Sequence, residues 1–228
     1  MGYSGPAGVK NPRPFARVII LHRDRRVLII DKPPGLPVHA GRAGGPSVED
    51  YFPEWQQGRQ GPWLAHRLDQ DTAGCLVVAL KKSFLLAAQS CFAEGKAAKT
   101  YWAVVRGVPG EQEGVIDLPI TKRTQGRAWK MVPDPAAPPA ITEWRRLGSD
   151  GTHSLIEFKP RTGRTHQIRA HAAAFGHPVL GDAIYGGSVG ALHLLARYIR
   201  LPMESPIEAT APVPPHMQAI VARCLGTL

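Results

Sequence analysis

Two stretches of this chain concentrate side chains that can do chemistry. "HRLDQDTAG" (66–74) sets the carboxylate of Asp69 within three residues of His66 and Arg67, just ahead of the apolar run 75–80. Such a carboxylate is either a salt-bridged structural residue or an ionised group held ready for attack or proton transfer. Those nine residues leave both readings open. "KPRTGRTHQIRAHAAAFGHP" (159–178) gathers Lys159, Arg161, Arg164, His166, Arg169, His171 and His177. A metal fits this set poorly. His166 and His171 are five positions apart, so on a helix they point about 140° apart. A chelating helical pair needs a spacing of three or four, and no Cys or Glu stands near to complete a shell. An anion fits better, because a Gly-Arg turn opening on a helix directs N–H groups and the positive dipole end at it. Arg164 sits at that turn. Arg169 lies one turn on, beside the face of His166 and away from Ile168, Ala172 and Phe175. The competing reading is a plain solvated basic face, against which the interleaving of His and Gln with Arg counts.

The elements that must position these groups follow from local pattern. "RVIILHRDRRVLIIDKPPG" reads as two apolar strands around a charged turn, stopped by Pro33-Pro34-Gly35. Residues 41–62 are rich in Gly, Ser and charge, so an excursion with little core is expected. The run 75–80 reads as a strand buried on both faces. Ser83 is placed to cap a helix through about Glu94, with Phe84, Leu85, Ala88 and Phe92 at helical spacing and Gly95 as its stop. "KTYWAVVRG" (99–107) is a strand on which Tyr101 and Ala103 share one side, opposite Trp102 and Val104. The Pro-rich 133–140 cannot lie inside a regular element. Ile141 to Leu147 and Thr152 to Phe158 read as a strand pair, and Thr165 as the cap of a helix from His166 to Phe175. Strands dominate without βαβ alternation, which predicts an α+β fold with a mixed or antiparallel sheet.

Lys and Arg number 28 against 18 Asp and Glu, a net charge of +10 in 228 residues, which favours a polyanionic partner. No apolar run approaches a membrane span, no basic amphipathic anchor stands out, and the N-terminus lacks the apolar core of a secretory leader. The cytoplasm is therefore expected. Cys75, Cys91 and Cys224 are too few and too widely spaced for a disulfide framework or a metal knuckle.

Taken together, "IDKPPGLPVHAG" (30–41), "HRLDQDTAG" (66–74), "KTYWAVVRG" (99–107), "TGRTHQIRAHAAAFGHPVLGDAIYG" (162–186) and "LHLLA" (192–196) resemble, in order, the motifs of RluA-type pseudouridine synthases. The resemblance runs from about residue 16 to 215. It implies the pseudouridine synthase fold, α+β with a mixed, largely antiparallel central sheet and flanking helices. It implies an RNA pseudouridine synthase isomerising specific uridines in tRNA or ribosomal RNA by base flipping, N-glycosidic cleavage and C5–C1′ re-ligation. By this resemblance Asp69 is the essential carboxylate, Tyr101 stacks on the target base and is a candidate general base, and Arg169 ion-pairs with Asp69. Arg67 enters the RNA where the base is flipped out, while His66, Arg164 and His166 line the RNA-binding cleft. No cofactor, metal or membrane is implied, and a monomer is expected. Two departures are Ala73, where Ser is common, and Leu195-Ala196 after His193, where a second His-Ala pair often stands. The expected organisation is a loose tail at 1–14 and one catalytic domain at 15–228, with no room before it for an S4 domain. The loops 41–62 and 121–140 are the candidate specificity segments.

The chemistry needs no electron or group to enter or leave. It needs an ionised carboxylate at the ribose, a base for the C5 proton and a way to unstack the uridine. An Arg partner favours the charged form of Asp69. Two rival readings are a non-catalytic RNA-binding module or chaperone on the same fold, and a hydrolase using Asp69 with His66. The hydrolase lacks an obvious second carboxylate at a motif position.

Overall fold

The computed structural model describes residues 18–41, 44–126 and 128–227; the expected tail, 1–14, lies outside them. The described strands are β1 (Ile19–Arg23), β2 (Val27–Lys32), β3 (Trp63–Leu64), β4 (Ala73–Ala79), β5 (Ala98–Arg106), β6 (Glu113–Asp117), β7 (Ile120–Gln125), β8 (Ala128–Pro133), β9 (Ile141–Ser149), β10 (His153–Pro160), β11 (Leu194–Leu201) and β12 (Ile207–Thr210). The helices are α1 (Phe52–Trp55), α2 (Lys82–Ala93), α3 (Gln167–Ala174) and α4 (Pro215–Leu225). The main sheet runs β1-β2-β4-β11-β5-β10-β9-β6, with β12 on β11 and β3 on β4, while β7 and β8 form a separate hairpin. Among these pairs only β4–β11 is parallel. The fold is thus α+β on a mixed, mostly antiparallel sheet.

Strand alternation sorts the core into layers. Ala73, Cys75, Val77 and Ala79 point to the face covered by α2 and α4, where they meet Leu85, Ala88, Met217 and Val221. Leu76, Val78 and Leu80 point to the opposite face, against Leu28, Ile30, Val48, Tyr51 and Trp55. Farther along that second face, Ala103, Val105, Ile156 and Phe158 pack on Ile168 and Ala172 of α3. Tyr101 touches both second-face clusters, so it stands at the seam between them. The site opens at this seam.

Three local expectations are corrected. Ser83 does not cap α2; the cap position is Lys81, without a side-chain bond, and Gly95 at φ +69° closes the helix as expected. Thr165 does not cap α3 either. His166 takes the cap position, and Gln167 Oε1 accepts from the Arg164 N–H at 2.9 Å and from Thr162 Oγ1 at 2.8 Å. The excursion 41–62 is not coreless. Its 3-10 turn at Val48–Tyr51 and the adjoining α1 bury Val48, Tyr51 and Trp55.

The glycine closing "HRLDQDTAG" has a packing reason. Gly74 has φ +105°, and a Cβ on it would overlap the Ala196 carbonyl, its parallel neighbour on β11. Only glycine lets β11 close at the point where the Asp69 loop enters the sheet. Gly74→Ala is expected to destabilise the protein by about 3 kcal/mol through strain and steric overlap, read as a lowered urea midpoint with unchanged m-value.

Candidate active site

The loop 66–72 is held from three sides before any functional group is considered. Buried Lys32, at the end of β2, donates from Nζ to the carbonyls of Pro33 (2.9 Å), Leu36 (2.9 Å) and Gln70 (2.7 Å). The Gly35 N–H also donates to Gln70 O, and the Thr72 N–H donates to Asp69 O. At the loop's start, the Val77 N–H donates to His66 Nε2 at 3.0 Å, and the ring packs on Phe92 with centroids 4.7 Å apart. Burial and the nearby Lys99 charge push His66 down to about 4, so it is neutral at pH 7. The ring lines the cleft, but it is a loop pin and offers RNA no cation.

Asp69 meets two nitrogens at one oxygen. Its Oδ2 lies 3.4 Å from Arg169 Nη1 and 3.7 Å from His166 Nε2. Its Oδ1 makes no hydrogen bond or ion pair among the described residues. Arg169 is itself held tightly by a residue that sequence reasoning did not single out. Its Nε and Nη2 donate to the two carboxylate oxygens of buried Asp182 at 2.7 and 2.9 Å. Asp182 Oδ1 also accepts the N–H groups of Ile184 and Tyr185. Burial alone would raise the Asp182 carboxyl, but the Arg169 hydrogen bonds and charge and these two N–H groups outweigh it and hold it below the ordinary value.

The seven site residues expected from sequence line one cleft of about 1680 Å³: His66, Arg67, Asp69, Tyr101, Arg164, His166 and Arg169. Arg67 and Arg164 are exposed at its rim, and Arg164 Nε donates to Pro139 O at 3.2 Å. The expected anion cradle at the start of α3 is partly filled from within, since Gln167 already takes the Arg164 N–H. The anticipated cationic face of α3 is likewise absent, because Gln167 through Ala172 are all buried. His171 has both ring nitrogens engaged, with Thr142 Oγ1 (2.9 Å) and Leu118 O (3.0 Å). No group of three or more potential metal ligands occurs among the described residues.

Tyr101 faces the cleft from β5. Burial and the charge of Asp69 push its hydroxyl well above the ordinary phenol value, so it is protonated at rest. Lys99, two residues earlier and on the same side of the strand, also lines the cleft. Trp129 lines it from the β7–β8 hairpin, stacked on His166 with centroids 4.7 Å apart. A carboxylate with one open oxygen, a facing aromatic ring and a basic rim can receive a nucleoside turned out of its strand.

Residues 26–174 match the family model for RNA pseudouridylate synthase. The chain is 40% identical over 204 residues to an uncharacterized RNA pseudouridine synthase of Zymomonas mobilis, covering 86% of this chain and 93% of that one. It is 35% identical over 175 residues to the dual-specificity RNA pseudouridine synthase of Yersinia pestis, covering 74% and 82%. The solved structure of human RNA pseudouridylate synthase domain containing 4 superposes with a TM-score of 0.78 at 28% identity, over 90% of this chain and 92% of that one. This chain belongs to the RNA pseudouridylate synthase family: it is an RNA pseudouridine synthase, an isomerase acting on RNA. Among the described residues no helix is long and apolar enough to cross a membrane.

Removing one partner from a buried ion pair strands the other charge. Asp182→Ala is therefore expected to lower stability by about 3–5 kcal/mol at neutral pH. Because the Asp182 carboxyl is held below its ordinary value, this increment is complete above about pH 4 and is lost as the pH falls further. Urea titrations of wild type and variant across that range test both statements.

Proposed function

We propose that Asp69 is the carboxylate that acts at the ribose of the target uridine, with Tyr101 beneath the base and Arg169 fixing the carboxylate. The observation that carries this reading is the geometry at Asp69: Oδ2 is gripped by Arg169 while Oδ1 is left open. Attack at C1′ and removal of the C2′ proton both need a carboxylate oxygen free of other partners. The Tyr101 ring supplies a stacking face. Its protonated hydroxyl takes the C5 proton only in concert with losing its own, so it serves as a relay rather than as a preformed base.

Arg67, exposed at the rim, fills the space left by the flipped base and offsets the few kcal/mol that unstacking costs. Arg164 and Lys99 offer cations for neighbouring phosphates. The substrate is a uridine in a loop or weakly paired segment of tRNA or ribosomal RNA, where unstacking is easiest. Three free, buried cysteines suit the reducing cytoplasm. The hydrolase reading loses its base, since His66 Nε2 is occupied by a backbone N–H.

Asp69→Asn is expected to remain folded, to bind RNA within about threefold of wild type and to release no tritium from RNA labelled at uridine C5. Wild-type release by this variant overturns the assignment. Tyr101→Phe keeps the stacking face, so affinity should hold while turnover drops more than about tenfold; unchanged turnover would leave stacking as its only role. Affinity should fall with salt on a log–log slope steeper than about −2, as at least three phosphate contacts on a single strand require.

A further inference from the structure

His166 is the only non-glycine residue with positive φ among the described residues, at φ +50° and ψ +21°. A histidine in the left-handed region is uncommon and persists where its surroundings over-determine it. Three contacts do so here. Trp129 stacks on one face of its ring at 22° between planes, with Lys122 Nζ 4.6 Å from the Trp129 ring centroid. Tyr185 meets the ring edge-on, its Oη 3.1 Å from Nδ1. Nε2 points at Asp69 Oδ2, 3.7 Å away.

The hydrogen bonds around Tyr185 have a direction. The backbone N–H of Met131, on β8, donates to Tyr185 Oη at 2.9 Å. That oxygen keeps one proton to give, and His166 Nδ1 is its acceptor. A neutral His166 then carries its proton on Nε2, facing the carboxylate. The other tautomer would set the Nε2 lone pair against Asp69 Oδ2 and leave the Tyr185 hydroxyl proton without an acceptor.

We infer that His166 is a positioning residue for Asp69: Tyr185 holds it in the Nε2–H tautomer, Trp129 fixes its ring plane, and with Arg169 it claims Oδ2 so that Oδ1 is the oxygen presented to the ribose. The same chain of contacts ties the β7–β8 hairpin to the reacting carboxylate. The hairpin stands apart from the main sheet, anchored by Ile120 and Met131, with Lys122, Arg123 and Lys130 exposed along it. The basic arm is thereby linked to Asp69 by contacts through Met131, Tyr185 and His166. The 3.7 Å gap is of the kind that closes when substrate is bound.

The charged groups facing His166 are Asp69, Asp71 and Asp182, which favour its proton, and Arg169, which opposes it; Lys122 reaches it only across Trp129. Burial leads, and together with Arg169 it keeps His166 below the ordinary histidine value. The ring is neutral at pH 7, as one fixed tautomer requires.

This inference rests on Asp69 being the reacting carboxylate, and the test separates the two. Two-bond nitrogen–proton correlation spectra of the RNA-free enzyme should show His166 protonated at Nε2 and bare at Nδ1; the reverse tautomer overturns the inference. With RNA labelled at uridine C5 with tritium and taken from cells lacking this gene, Tyr185→Phe should lower kcat about tenfold or more with KM nearly unchanged. His166→Gln, which keeps an N–H donor near the Nε2 position, should retain more of the rate than His166→Leu. A loss in KM alone would make His166 an RNA contact and overturn the positioning role, as would wild-type kcat in Tyr185→Phe. If Asp69→Asn still turns over, the Asp69 assignment itself fails. If Asp69→Asn is inactive while the Tyr185 and His166 variants keep wild-type kcat, only the positioning role fails.

Discussion

The site depends on one guanidinium held unequally between two carboxylates. Arg169 is buried, and a buried charge persists only where it is paired and its hydrogens are satisfied. Asp182 meets that requirement with two short, parallel bonds, and backbone N–H groups fix Asp182 in turn. Asp69 receives only the longer contact of 3.4 Å. With Asp182 holding its Nε and Nη2, Arg169 has only Nη1 left for Asp69, so the second pair is single and longer.

Three segments far apart in sequence must meet for this arrangement, and the sheet is what brings them together. The loop with Asp69 feeds into β4 at Gly74, whose missing side chain admits β11 in parallel. The strand β5, with Tyr101, lies on the other side of β11. Beneath β5 and β10 runs α3, which packs Ile168 and Ala172 into the sheet and so aims Arg169 back at the loop. The site is therefore a consequence of core packing on the second face, and errors of packing at Gly74 or α3 would reach Asp69 directly.

What was legible in the sequence follows the same physics. Alternation and β-branched runs announced β2, β4, β5, β9 and β10, because burial on a pleated sheet imposes a period of two. Helix starts were less legible. Ser83 and Thr165 are good caps in isolation, yet the cap positions fall at Lys81 and His166 once the neighbouring turns are built. Val48, Tyr51 and Trp55 already stand at helical intervals, but Gly and charge around them hid an apolar face that composition could not show. The ion pair of Asp69 with Arg169 came from the motif resemblance and the contact is present. Asp182 lies inside the quoted motif 162–186 but was not singled out, because a lone carboxylate after a glycine shows no partner until α3 is folded against it. His66 was read as a cleft residue for RNA, although burial, which sequence does not display, decides its charge.

Lys32 shows where the chain's excess positive charge is not available. Its ammonium is fully buried, and burial pulls it down to about 7 against the opposing pull of Asp71, Asp69 and Asp31. Three carbonyls converge on its three protons, so the desolvation is compensated by hydrogen bonds rather than by a counter-ion. A neutral amine keeps two of those three donors. The tie from the end of β2 to Gln70 therefore weakens, without vanishing, as the pH rises through neutrality. A cation so enclosed cannot meet a phosphate. The exposed cations lie instead at the rim and on the hairpin, Arg67, Arg164 and Lys122 among them, while the basic groups in the floor, Lys32 and Arg169, are spent on the loop that carries Asp69.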